Sequence, residues 1–142
     1  MQNKAILIPL CLQVFLTAVV WCFLIFLRVK AIKQQRVDPN SLTDDTKADA
    51  VFKDALNASD NLENLFELPV LFYVACLVIF SLKATDNLYF ALALTFVFLR
   101  GVHSFIHCTY NRVTHRFNAY AASALILWLI WLRIAFQIVQ GL

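Results

Sequence analysis

An amide, a carboxylate, a guanidinium and two imidazoles interrupt the apolar runs of this chain at spacings that bring them together. Asn64 and Glu67 stand at i, i+3, and Arg100, His103 and His107 at i, i+3, i+7, so each group shares one helical face. Tyr110, Arg112, His115 and Arg116 continue the polar character just beyond. An ionisable group in a membrane span costs roughly 2.5–3.5 kcal/mol on insertion scales and is as a rule paired or functional. Glu67 and Arg100 have opposite signs and are expected to face each other, either as a structural ion pair or as part of a site. The set suits a polar, anionic or zwitterionic ligand. Guanidiniums hold carboxylates bidentately, while Glu67 receives an ammonium or orients the basic groups. The bilayer would deliver a second, lipophilic reactant from the side.

The elements that carry these residues follow from composition. The chain has 142 residues, of which 61% are hydrophobic and 15% charged, too apolar for a soluble domain of this size. Four apolar runs use up most of it: Ile6–Leu27, Leu62–Leu82, Leu88–Tyr110 and Phe117–Val139. Each is close to the ~20 residues needed to cross a hydrocarbon core of about 30 Å. The reading is a single all-α membrane domain over residues 1–142, an up-down bundle of four transmembrane helices. The first run exceeds the length of a signal-peptide core, has no small-residue cleavage site after it, and meets Arg28, Lys30, Lys33 and Arg36, so it is expected to be retained.

Basic residues set the orientation. Arg28, Lys30, Lys33, Arg36, Lys47 and Lys53 fall in the first loop, and Arg112 and Arg116 in the third. The opposite side has only Lys4 and Lys83. The positive-inside rule then makes the long first loop cytoplasmic and places both termini outside. The basic residues after the first span can also touch lipid headgroups. Acidic residues of the same loop, Asp38 to Asp60, argue against a nucleic-acid partner. Val51, Phe52, Ala55 and Leu56 recur at helical spacing there, predicting a helix that lies on the membrane surface or extends the second span. Short connections make spans two and three, and spans three and four, antiparallel neighbours. Pro69 cannot donate to the carbonyl of Leu65 and should kink the second span.

Depth supports the cluster. Glu67 lies about 9 Å inside the second span, His103 about 10 Å and Arg100 about 15 Å from the same surface at 1.5 Å per residue. Cys11, Cys22, Cys76 and Cys108 all lie in apolar runs without metal-site spacing and read as free thiols, and no metal is assigned.

Asn64-Leu65-Phe66-Glu67-Leu68-Pro69-Val70-Leu71-Phe72 resembles the second-helix motif of the MAPEG family, the membrane-associated proteins in eicosanoid and glutathione metabolism. Arg100-Gly101-Val102-His103 through His107, Tyr110 and Arg116 resembles its third-helix motif, and the topology matches over essentially the whole chain. The resemblance implies a homotrimer with glutathione sites between subunits near the cytoplasmic face. It implies a transferase or peroxidase acting on lipophilic electrophiles or lipid hydroperoxides. By motif match, Asn64, Glu67, Arg100, His103, His107 and Tyr110 bind glutathione, and Arg116 stabilises its thiolate. Asp60 stands where several members have a basic residue, and His107 where an aromatic one is common. Asp60 suits the alternative, a non-catalytic membrane protein that binds a lipid or protein partner. The expected host membrane is a bacterial inner membrane, or the endoplasmic reticulum if the source is eukaryotic.

Overall fold

The computed structural model describes residues 2–141. Among them there is no strand, and four helices are long and apolar enough to cross a membrane: Asn3–Gln35, Lys53–Ser81, Asn87–Cys108 and Val113–Val139. The all-α four-span reading therefore holds, with boundaries that differ on the side of the long loop. The first span is α1 (Leu7–Gln35), entered through a 3-10 turn over Asn3–Ile6. It runs past Leu27 because Val29, Lys30, Ala31 and Lys33 to Gln35 contain no helix breaker. It stops at Arg36, which adopts the left-handed conformation (φ 51°) typical of a helix C-terminus.

The long loop is largely helical. Asp44 caps α2 (Asp45–Val51) by accepting from the backbone N–H of Thr46. A 3-10 turn over Lys53–Ala55 leads into α3 (Leu56–Leu65). Of the two placements expected for this amphipathic stretch, the structure shows the extension of the second span. Ala55 and Ala58 are buried against Leu24 of α1, with Leu27, Phe52 and Leu62 around them. Their apolar face is thereby covered by protein rather than by headgroups.

The chain then breaks as Pro69 requires. α3 ends at Leu65, Phe66 and Glu67 leave helical geometry, and α4 (Leu68–Ser81) begins with Pro69 in its first turn, where the missing N–H costs nothing. α5 (Asn87–Cys108) and α6 (Val113–Val139) complete the bundle. The most extensive backbone packing is between α5 and α6. α4 and α5, joined by a short turn, meet through large side chains, with the Phe72 and Phe96 rings stacked at 4.4 Å. The core runs from Ile6 through Phe72, Ile79 and Phe96 to Leu127 and Ile134.

The end of the bundle that holds the termini is closed by polar bonds. Asp86 caps α5, accepting from the Tyr89 N–H at 2.8 Å, and its carboxylate forms a two-pronged ion pair with Arg133. The Arg133 guanidinium lies 4.0 Å from the centroid of the Tyr89 ring, and the Tyr89 hydroxyl donates to Gln137 at 2.6 Å. Asn3 donates to the Phe80 carbonyl and accepts from Thr85, which ties the N-terminal turn to α4 and α5. Arg133, the one charged residue in the apolar part of the fourth span, is thus paired with Asp86 at the end of the bundle.

Hydrogen bonding to Arg133 holds the Asp86 carboxyl below its ordinary value. A carboxylate whose folded pKa is depressed stabilises the fold above its unfolded pKa, about 3.9, and loses that contribution as pH falls through the folded value. Asp86→Asn keeps a good capping residue but removes the charge. We expect it to cost about 0.2–1 kcal/mol at neutral pH, the range for a partly exposed pair. The gap in Tm between the variant and the parent should close when unfolding is followed at pH well below 4, and a gap independent of pH would show that the ion pair contributes nothing.

Candidate functional site

The break in the second span creates the site. Where helix α3 stops, the Asn64 carbonyl loses the backbone N–H donor that a continuous helix would offer it. Arg100 of α5 fills the gap, donating from Nη2 to the Asn64 oxygen at 2.8 Å. Arg100 is completely buried, with its guanidinium 5.6 Å from the centroid of the Tyr120 ring of α6. A charged donor bond contributes about 1.5–3 kcal/mol and a desolvated cation–π contact up to about 2 kcal/mol. Together these offset the cost of placing a guanidinium in a membrane span. Nε and Nη1 of Arg100 remain buried without partners.

The expected pairing of Glu67 with Arg100 does not form. Glu67 is exposed on the single chain, and no ion pair joins the two among the described residues. The reason is the break itself. Phe66 and Glu67 leave the helical path (Glu67 has φ −95°, ψ −102°), so Glu67 no longer follows Asn64 on one face, and Arg100 takes a backbone oxygen instead. Asn64 is half-buried, with its amide donating to the Asp60 carbonyl one turn earlier.

His103 and His107 sit on the face of α5 predicted for them, buried at 2% and 1% exposure. Both are held by Arg116, half-buried in the first turn of α6. The Arg116 carbonyl lies 3.1 Å from Nδ1 of His103. A carbonyl only accepts, so this nitrogen carries a hydrogen. The Arg116 guanidinium lies 3.0 Å from Nε2 of His107. A guanidinium only donates, so this nitrogen is the acceptor, and the ring is neutral with its hydrogen on Nδ1. What remains free is a second nitrogen on each ring, Nε2 of His103 and Nδ1 of His107, both buried and partnerless. Arg116 is itself positioned by Asn111, whose side-chain oxygen accepts from Nη1 at 2.8 Å and whose amide reaches Asn57 of α3 at 2.8 Å.

A cavity of about 220 Å³ lies beside this cluster, lined by Asn64, His103, Val113, Arg116, Phe117 and Tyr120. Of the residues singled out from sequence, the structure brings Asn64, Arg100, His103, His107 and Arg116 together. Tyr110 is exposed and bonded to His115, and neither it nor the exposed Glu67 lines the cavity. Sequence reasoning missed Tyr120, which covers both Arg100 and His103, and Asn111. The i, i+4 spacing of Arg116 and Tyr120 on one helix face was the available signal. It also passed over Asn61, which is fully buried and joins Ser104 and Cys108 across the bundle.

Chemically, the cluster offers several donors and one imidazole acceptor, with no acidic side chain paired to its two guanidiniums among the described residues. Such a site favours an anionic group.

The family model of the MAPEG family matches residues 6–136. No curated protein and no solved structure matches the chain.

The hydrogen-bond pattern requires the same tautomer in both histidines, with the hydrogen on Nδ1. Spectra of full-length protein carrying 15N-labelled histidine should place Nδ1 of His103 and His107 in the N–H range near neutral pH. Arg116→Leu should release His107 while leaving His103 held by the main chain. A signal for Nε2–H on His107 in the parent protein would contradict the assignment.

Proposed function

The chain belongs to the MAPEG family, and from that premise we propose that it is a glutathione-dependent membrane transferase or peroxidase acting on lipophilic electrophiles or lipid hydroperoxides. The observation that carries the reading is the Arg116 guanidinium, which has no acidic partner among the described residues and lines an open cavity with Asn64 and His103 within a membrane-spanning bundle, with Arg100 buried behind it.

The residues present fit glutathione. Its carboxylates and thiolate are acceptors, and the Arg116 guanidinium on the cavity wall is a donor, with the partnerless donors of Arg100 and His107 buried behind it. Arg100, His103, His107 and Asn64 would bind the tripeptide. Glutathione supplies the nucleophilic sulfur when bound. Arg116 is the group we assign to its activation: a guanidinium beside a thiol favours the thiolate and lowers its pKa. Asn111 and His107 hold Arg116 in place, so its charge need not reorganise as the sulfur ionises. His103 presents its free Nε2 as the acceptor for a ligand N–H. The thiol proton would leave to solvent, and in transfer the thiolate would bond to an electrophilic carbon as a leaving group departs from it, or as an activated double bond opens and takes up a proton at its other end. In peroxide reduction two thiols become a disulfide as the hydroperoxide becomes alcohol and water. Phe117 and Val113 at the cavity rim face the side from which a lipophilic partner would come.

The exposed position of Glu67 suits a homotrimer. An exposed carboxylate that its own chain leaves unpaired is available to a neighbour's site, and large apolar residues beside it, Phe66 at 65% exposure among them, are free to pack against another subunit.

Calorimetry on the detergent-purified protein tests the proposal. The parent should bind glutathione saturably. Arg116→Ala and Glu67→Gln should each weaken binding by about tenfold, equivalent to 1.4 kcal/mol. No binding at millimolar glutathione by folded protein would overturn it in favour of the non-catalytic reading, which Asp60 already suits.

A further inference from the structure

A second polar cavity lies at the opposite margin of the long loop, away from the thiol site. It measures about 300 Å³ and is lined by Arg28, Asp45, Asp49, Phe52, Leu56 and Ser59. Arg28 comes one residue after the apolar run of the first span ends at Leu27, which puts its guanidinium at the depth of lipid phosphates. It is half-buried, with Nη2 donating to the Ser59 hydroxyl at 3.3 Å and the Phe52 ring centroid 5.5 Å from Cζ. Its Nε is buried and has no partner.

Asp45 and Asp49 stand at i, i+4 on one face of α2, and both are exposed. They line the same cavity as Arg28 but form no ion pair with it; among the described residues the one ion pair joins Asp86 and Arg133. The cavity is therefore polarised, with an unsatisfied cation at its membrane end and two carboxylates on the loop helix. Phe52 and Leu56 supply an apolar wall between them.

We propose that this cavity binds the headgroup of an aminophospholipid, a phosphate ester that ends in a primary ammonium. The match is one of direction as well as charge. In such a lipid the phosphate is attached to the glycerol, at the membrane side, and the ammonium lies further into water. Arg28, whose half-buried guanidinium lines the cavity and meets no carboxylate, takes the phosphate in a charge-assisted bond. Asp45 and Asp49 take the ammonium, whose hydrogens a quaternary choline lacks. A purely anionic headgroup would satisfy Arg28 but meet the two carboxylates unfavourably. The lipid would brace α2 against α1, and nothing in this inference depends on the thiol reading.

The test uses full-length purified protein, stripped of lipid and offered an equimolar mixture of dioleoyl phosphatidylethanolamine, phosphatidylglycerol and phosphatidylcholine, with bound lipid counted by native mass spectrometry. We expect phosphatidylethanolamine to be enriched about fivefold over either competitor, equivalent to roughly 1 kcal/mol. The double change Asp45→Asn with Asp49→Asn, at exposed positions that folding does not need, should abolish that preference, and Arg28→Gln should lower total retention. Equal or greater retention of phosphatidylglycerol by the parent would overturn the proposal, as would a preference that survives the double change. Displacement of the lipid by soluble phosphoethanolamine at equal concentration, or by millimolar glutathione, would also overturn it, since the occupant would then be a soluble zwitterion.

Discussion

The bond from Arg100 to the Asn64 carbonyl resolves two costs at once. A carbonyl freed inside a bilayer has no water to turn to and costs several kcal/mol if left alone. A guanidinium in the same place is no less unwelcome. Pro69 ensures that α3 cannot run unbroken into α4, and Arg100 supplies the donor that the break requires. Each anomaly is tolerable because of the other. The position of the break also decides which side chains meet: it turns Glu67 out of the cluster and leaves Asn64 at its edge.

Arg116 plays the corresponding part on the other side of the site. Its carbonyl holds one histidine and its guanidinium the other, so a single residue at the start of α6 sets the orientation of two rings on α5. The turn that precedes it is equally constrained. Asn111 adopts a left-handed conformation (φ 43°), donates its N–H to the Ile106 carbonyl, and links α3 to Arg116 through its side chain. Three helices thus converge on one guanidinium through bonds that leave its charge without an acidic partner. Preorganisation of this kind keeps positive charge in place for an incoming anion, which a flexible lysine would not do.

Much of this was legible because membrane insertion penalises polar residues so heavily. Four apolar runs gave the spans, and any ionisable residue within them had to be explained. The helical period placed His103 and His107 on one face, and the missing N–H of Pro69 located the break. What escaped reading depended on the break's geometry. A period of 3.6 residues extrapolated across Phe66 and Glu67 keeps Glu67 on the face of Asn64, but the backbone there is not helical. Tyr120 escaped for a different reason: an aromatic residue within an apolar run carries no penalty that marks it out, and only the structure shows its ring beside Arg100. The extension of the second span back to Lys53 was one of two placements that the amphipathic pattern allowed, and packing on Leu24 decided between them.

The two ends of the bundle differ in how they treat charge. At the end that holds the termini the charged groups are answered, since Arg133 meets Asp86, Tyr89 meets Gln137, and Asn3 meets Thr85, although the neutral Gln13 amide and Trp131 indole further in stay without partners. At the loop end, Arg100, His103, His107 and Arg28 keep nitrogen atoms that are buried and unanswered. Composition alone does not explain the difference, because carboxylates are far more abundant on the loop side: Asp60, Glu63 and Glu67 lie within the same stretch of chain as Asn64. These carboxylates are exposed while the guanidinium of Arg100 is buried. A chain that only needed stability would have let them meet. Buried donors held apart from nearby acids cost stability, and an anion bound as proposed would offset that cost.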